Sequence, residues 1–311
     1  MSKNLRGFFS IAPTTSVPAE GADGGDLFVI FRWYNSFFSS SSAARACHGF
    51  WHNAALVLPA ALFIAYLGFQ AKRNIKKLGH GRAYVMIAYY VLLWFAALLN
   101  LAWSCLQAWQ CAPGKDVAWN LLSLFTASGM LCLEIGIVAF LLQDNYVSGL
   151  ETLAYTFMVS GIFVGVDVLF KVMCIFGFGV PIFIDVEITH RGKWAIWVAY
   201  KLLLSAVYGY ILFVHYSKWK DKLPPKPAFY NYAIVLFIFN AIALCACGFA
   251  GIGAGIGLWL YNFTVVLYHS FYLPFLYVTF LADFFQEEDW LMDNAYYSEM
   301  KDAGFFDSEW D

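Results

Sequence analysis

The sequence predicts an all-α polytopic membrane protein, a bundle of seven transmembrane helices with its amino end outside and its carboxyl end cytosolic. Three observations carry this. The 311 residues are 61% hydrophobic and 13% charged, against about 25% charged in a soluble domain. Seven apolar runs fill the chain between Phe50 and Leu281, each near the roughly 20 residues a helix needs to cross a hydrocarbon core about 30 Å thick. Basic residues fall on alternate junctions.

The runs cover about 50–70, 83–107, 117–142, 153–176, 194–216, 228–250 and 257–282. In lipid every backbone N–H and C=O is satisfied within the protein, so runs of this length are helices; barrel strands are shorter and alternating. Lys72 to Lys77 separates the first pair, Pro113-Gly114 the second and third, Lys222 to Pro227 the fifth and sixth, and Gly251 to Gly257 the sixth and seventh. The first, third and fifth junctions hold Lys72, Arg73, Lys76, Lys77, Arg82, Lys218, Lys220, Lys222 and Lys226, whereas the second, fourth and sixth hold Lys115, Arg191 and Lys193. Basic residues stay in the cytosol, which sets the orientation.

Three segments result. Residues 1–46 are rich in Ser, Gly and Ala and are expected to be a disordered extracellular segment without a cleaved signal peptide. Residues 47–282 form the seven-helix domain. Residues 283–311 carry ten acidic residues against Lys301, interleaved with aromatics, and form an acidic cytosolic tail whose charge complements the basic inner junctions.

Ionisable residues inside apolar spans are costly and usually face the bundle interior beside a partner. Four occur, Glu134, Asp167, Lys171 and Lys201, two acids and two bases, as mutual pairing requires. Counting 1.5 Å per residue puts Asp167 and Lys201 at about the same depth in the outer third. Lys171 follows Asp167 at i+4, placed to share its carboxylate or to snorkel outward. Glu134 and His269 fall in a deeper layer. Trp103, Trp109, Trp119, Trp194, Trp197 and Trp259 lie near outer helix ends, as a membrane belt or the walls of an aromatic pocket.

From these residues Asp167, Lys171, Lys201, Trp197, Trp119 and Trp259 are the candidate ligand-binding set. Glu134, His269, Pro274 and Tyr277 are the candidate conformational switch, because a proline inside a membrane helix frees a carbonyl, which Ser270 is placed to satisfy, and creates a hinge. Pro274 to Tyr277 repeats the Pro-x-x-Tyr spacing that closes helix 7 in rhodopsin-like receptors, with Leu273 where they carry asparagine. Asp144-Asn145-Tyr146 stands where those receptors have Asp-Arg-Tyr. Cys47 and Cys111 both fall on the expected outer side and are the candidate disulfide, with Cys105 as the competing partner. His48 and His52 resemble half of a zinc site, but only His190 shares their side, so no metal is assigned.

Cys47 to Trp51, Leu67 to Lys72, Leu99 to Trp103 with Pro113 to Lys115, Leu273-Pro274 through Phe280 to Asp289, and Tyr297 to Phe306 resemble the adipocyte-associated transmembrane protein family and its plant branch of candidate G-protein-coupled receptors. The resemblance runs from Cys47 to the carboxyl end. It implies a plasma-membrane receptor that binds melatonin, an uncharged indole amide, and signals to a heterotrimeric G-protein α subunit through basic inner loops and the acidic tail.

Nucleotide loops, catalytic triads and nucleic-acid patches are absent from the sequence, so no cofactor, no nucleic acid and no enzymatic activity are expected; membrane lipid is the expected partner, and a small indole is the one that the resemblance implies. The alternatives are a proton-linked transporter using Glu134 and His269, a scaffold, and a zinc-dependent intramembrane hydrolase. The last is disfavoured because His215 and His269 are separated in depth from His48, His52 and His190.

Overall fold

In the computed structural model, residues 50–80, 84–110, 112, 114–141, 149–184, 191–217, 227–282 and 285 are described. They form seven long helices: α1 (Phe50–His80), α2 (Tyr84–Cys105), α3 (Asp116–Leu141), α4 (Gly149–Val172), α5 (Arg191–Tyr216), α6 (Pro227–Gly251) and α7 (Gly255–Leu276). Each contains a stretch long and apolar enough to cross a membrane. A 3₁₀ turn (Gln107–Gln110) follows α2, and wider π turns extend α4 (Met173–Gly177) and α7 (Tyr277–Leu281). Among the described residues there is no strand.

One expected junction lies further along the chain than its residues suggest. α1 runs unbroken through Lys72-Arg73-Asn74-Ile75-Lys76-Lys77 to His80. Lysine and arginine are good helix formers, and leaving the hydrocarbon does not end a helix unless a breaker follows. The α6–α7 junction is as sharp as its glycines suggest. Gly253 adopts φ +86°, its N–H bonds Ala250 O at 3.0 Å, and the Ala254 N–H bonds Phe249 O at 2.9 Å. These are the two bonds of a Schellman cap, which needs a left-handed residue at this point. Candidate disulfide residues Cys47 and Cys111, with residues 1–46, Asp144 to Tyr146 and the tail beyond Phe285, lie outside the described residues. Cys105 is a free, exposed thiol.

The helices form a ring in which α5 packs on α6, α6 on α7, α7 on α1, α1 on α2, α2 on α3 and α3 on α4. α3 is the most buried of the seven. The helices alternate in direction, so one end of the bundle gathers the Trp103, Trp119, Trp194 and Trp197 indoles and the other the basic extension of α1. The two halves are filled differently. Toward the basic end, Phe63, Leu67, Tyr90, Leu93, Met130, Leu133, Tyr208, Tyr232, Tyr272 and Leu276 make one continuous core. Toward the indole end only small apolar clusters form, around Leu56 with Trp103 and Trp119, and around Trp194 with Cys247 and Ala250. The space between them is a cavity.

The turn between α6 and α7 gives a direct test of this packing. A Cβ on Gly257 would lie 2.2 Å from Ala250 N and 2.5 Å from Phe249 C, whereas one on Gly161 of α4 meets nothing within 4 Å. Gly257→Ala is expected to destabilise the protein by about 1–3 kcal/mol, the range for overpacking. Gly161→Ala leaves thermal unfolding in detergent unchanged. Equal midpoints for the two variants would show that the turn yields freely.

Candidate functional site

The cavity of about 130 Å³ takes lining residues from all seven helices. His52 comes from α1 and Trp103 from α2, followed by Gln107 and Gln110; α3 contributes Trp119, Ser123, Ala127 and Glu134, and α4 contributes Lys171. Trp197, Tyr200, Lys201 and Leu204 come from α5, Phe239 and Asn240 from α6, and Tyr261, Asn262, Thr264, Val265, Tyr268 and His269 from α7. From Trp119 to Glu134 the lining of α3 extends about 22 Å at 1.5 Å per residue. The two polar layers expected from depth are therefore one chamber.

The segment after α4 closes its indole end. Beyond the π turn, Gly179 turns at φ +63°, and the chain folds back so that Phe183 lines the cavity. Three side chains from α3 and α5 hold this strap by its carbonyls: Trp119 Nε1 donates to Phe183 O at 3.0 Å, Trp197 Nε1 to Ile182 O at 3.3 Å and Lys193 Nζ to Ile184 O at 2.9 Å. Trp103, whose Nε1 donates to Ser123 Oγ at 2.9 Å, stacks on Trp119 with centroids 5.5 Å apart. Trp103, Trp119 and Trp194 are at most 8% exposed, so these indoles wall the interior and are not a membrane belt. Trp259 does not line the cavity; it stacks on Phe263 with centroids 5.9 Å apart.

The charged residues pair differently from the depth argument. Asp167 does not reach Lys201; its Oδ2 accepts from Lys171 Nζ at 2.6 Å, one turn along α4, and it is not among the lining residues. The nearer partner wins because an i,i+4 pair on one helix forms without bringing two helices together. Lys171 in turn lies over the Tyr200 ring, 4.7 Å from its centroid, linking α4 to α5. Lys201 Nζ donates to Asn240 Oδ1 at 3.1 Å on α6.

Glu134 and His269 share the chamber without contacting each other. Glu134 is 2% exposed and accepts from Tyr208 Oη of α5 at 2.5 Å and from Tyr268 Oη of α7 at 3.4 Å. The carboxylate therefore ties three helices together at the floor of the cavity. His269 stacks on Trp103 at 3.9 Å, and Asn100 of α2 grips the same residue twice. Asn100 Nδ2 donates to His269 O at 2.7 Å, and Asn100 Oδ1 lies 2.7 Å from His269 Nδ1. Because Oδ1 only accepts, Nδ1 carries the proton, and in the neutral ring Nε2 is then an acceptor.

Below His269, Pro274 interrupts the hydrogen-bond ladder of α7. Ser270 does not satisfy the freed carbonyl; its Oγ donates to Ala55 O of α1 at 2.9 Å. A wider π turn begins three residues beyond the proline, at Tyr277. Tyr277 Oη accepts from Asn74 Nδ2 at 3.3 Å, in the extension of α1. Phe285, the next described residue after Ala282, is buried against Tyr90 and Tyr277, and Lys77 Nζ donates to its carbonyl at 2.8 Å.

Sequence reasoning that weighed only ionisable groups missed Asn100, Asn240, Tyr200, Tyr208 and Tyr268. The signal was present for the amides: Asn100 and Asn240 stand inside apolar spans, where a carboxamide without an interhelical partner is also disfavoured. The Asn100–His269 grip is testable by a double-mutant cycle of Asn100→Ala and His269→Ala read by thermal unfolding. Coupling of about 0.6–1.7 kcal/mol is expected, the range for interhelical hydrogen bonds in membranes. Additive single effects would show that the bond to the imidazole contributes nothing, since the bond to the His269 carbonyl survives His269→Ala.

With this geometry in place, comparison with known proteins is specific. A family model described as a predicted membrane protein matches residues 45–298. The chain is 59% identical over 266 residues to candidate G-protein coupled receptor 2 of Arabidopsis thaliana, covering 85% of this chain and 89% of the relative. It is 55% identical to candidate G-protein coupled receptor 8 of the same plant, covering 85% and 90%. A transmembrane protein adipocyte-associated 1 homolog of Caenorhabditis elegans is 26% identical over 240 residues, which are 74% of this chain and 52% of that protein. No solved structure matches the chain. The matched region contains every described helix and the whole cavity, and the chain belongs to the predicted membrane protein family that includes the plant candidate G-protein coupled receptors and, more distantly, the adipocyte-associated transmembrane proteins.

Proposed function

We propose that the protein is a plasma-membrane receptor that senses a small aromatic molecule in the cavity and acts by binding, without catalysis. One observation carries this reading. The chamber is lined by all seven helices and is walled at Trp103 and His269, five residues before the proline that breaks α7. A ligand that fits one arrangement of these walls better than another shifts the balance between them, and this difference in affinity is the only way binding can drive a change. Melatonin, the ligand implied by resemblance to the plant branch and its phytomelatonin receptor, is the first compound to test. Its flat indole suits the stacked Trp103 and Trp119, and its amide offers both a donor and an acceptor.

The output surface in this reading is the basic end, where Lys72, Arg73 and Lys76 are exposed on the extension of α1. An excess of basic residues marks the cytosolic side, so the amino end is outside and a G-protein α subunit meets the α1 extension and the acidic tail. The family names of the Arabidopsis relatives support this coupling.

Two measurements test the proposal. Purified protein in lipid nanodiscs is expected to bind melatonin, and Trp119→Ala to weaken binding about tenfold, a typical loss of roughly 1.4 kcal/mol for a buried aromatic anchor. Absence of binding by the wild type removes melatonin. In vesicles, ligand is expected to accelerate nucleotide exchange on a co-reconstituted G-protein α subunit, and Lys72→Glu with Arg73→Glu to abolish the acceleration. Exchange indifferent to the receptor removes the coupling. For orientation, an epitope after Asp311 should be reached by antibody only in permeabilised cells; labelling of intact cells overturns the topology.

A further inference from the structure

The chamber contains a cation whose hydrogen-bonding capacity is largely unfilled. An ammonium group has three N–H donors. Lys201 Nζ donates to Asn240 Oδ1 at 3.1 Å, and that amide is held in place because its Nδ2 donates to Leu236 O at 2.9 Å. The other neighbours of Lys201 Nζ are rings, with the Tyr200, Phe239 and Tyr268 centroids 5.8, 5.8 and 5.6 Å away. Among the described residues no carboxylate lies within ion-pair distance of Lys201.

The acids of this region make their direct contacts with other groups, and Glu134 attracts Lys201 only from beyond ion-pair distance. Asp167 is paired with Lys171 at 2.6 Å, which answers the second cation that lines the chamber. Glu134 accepts from the Tyr208 and Tyr268 hydroxyls. Both oxygens of Glu134 therefore have a donor, whereas only one of the three Lys201 donors has a hydrogen-bond acceptor, so the chamber is better prepared for an added acceptor than for an added amine. A charge facing a space of low polarity is costly until a counter-charge arrives. The walls supply the rest of the recognition: stacked Trp103 and Trp119 for a flat ring, and the Nε2 acceptor of neutral His269 for a ring N–H. The chamber of about 130 Å³ is close to the roughly 150 Å³ of an engineered cavity that admits benzene, so a compact ring system with a short side chain suits it better than a longer one.

We propose that the chamber binds a small aromatic monocarboxylate, its carboxylate on Lys201 and its ring against Trp103 and Trp119, in preference to an uncharged amide of the same shape. This rests on the reading of the chamber as a ligand site and specifies which chemistry the site selects. A neutral amide fits the same walls but offers Lys201 only a neutral acceptor, and hydrogen bonds in which both groups are charged are the stronger ones.

The test uses an isosteric pair. Indole-3-acetate and indole-3-acetamide differ only in replacing one carboxylate oxygen by NH₂, and their affinities for the full chain in nanodiscs are measured by calorimetry at neutral pH beside melatonin. The acid is expected to bind at least about tenfold more tightly than the amide, the factor that corresponds to roughly 1.4 kcal/mol. Lys201→Gln should bring the two affinities together, and Lys201→Arg should retain the preference. An amide that binds as tightly as the acid to the wild type overturns the proposal without any variant, as does a preference that survives Lys201→Gln. Melatonin binding without acid binding leaves the receptor reading standing and removes this inference. Failure of all three probes removes the aromatic site, and both fall together.

Discussion

The position of Glu134 organises this bundle. A carboxylate buried in the middle of seven apolar helices must be satisfied by protein groups, because lipid supplies none. Here Tyr208 and Tyr268, from α5 and α7, reach it from two helices across the bundle. That requirement fixes the rotation of three helices at one level. Below it, Tyr208, Tyr232 and Tyr272 bring their bulk into a filled core. Above it Lys171, Tyr200 and Lys201 line the chamber. The buried acid thus sits at the boundary between the hollow and the filled half.

The number and limits of the helices were legible because hydrophobic length in lipid is nearly a one-variable problem. The exception, α1, shows where that variable stops: apolarity reports the exit of a helix from hydrocarbon and says nothing of where its backbone ends. Depth was legible only in part: it put Asp167, Lys171 and Lys201 in an outer layer and Glu134 with His269 in a deeper one, whereas Lys171, Lys201, Glu134 and His269 line one chamber. Facing was not. Asp167 and Lys201 are level, yet one-dimensional counting cannot weigh a partner on the next helix against one a single turn away, and the turn prevailed. The tryptophans failed for a similar reason. Belt and pocket place indoles at the same height, and only the strap from Val180 to Ile184, bound through its carbonyls by Trp119 and Trp197, decides that they face inward.

The strap also explains how a chamber can persist beside the sparse flank between α4 and α5. Irregular backbone at membrane depth is tolerated where protein groups satisfy its carbonyls, and Lys193, Trp119 and Trp197 do this at three successive residues. These donors come from α3 and α5, two of the seven helices that line the chamber. Ring contacts and backbone closure are therefore one structure, and a ligand lying against Trp119 or Trp197 acts on the strap through the same indoles that hold it.

Communication toward the basic end has a narrower route. α7 touches the chamber at Tyr268 and His269, and it touches the far face at Tyr277, with Pro274 between them. Above the proline, Asn100 fixes both the backbone and the ring of His269; below it, Asn74 holds Tyr277, and Phe285 packs against that ring. Two anchored segments flank a stretch whose regular hydrogen bonding is broken, so rotation of one against the other is resisted less at the proline than elsewhere on the helix. For a ligand to move this equilibrium from 1:99 to 99:1 it must prefer one arrangement by about 10⁴-fold. Contacts with ring faces alone change little when a helix turns by a few degrees, whereas a charge-assisted hydrogen bond to Lys201 depends steeply on distance and angle. In the proposed receptor reading, a group as directional as Lys201 is well suited to distinguish two positions of α5 and α7, so its chemistry would bear on the proposed signalling as well as on affinity.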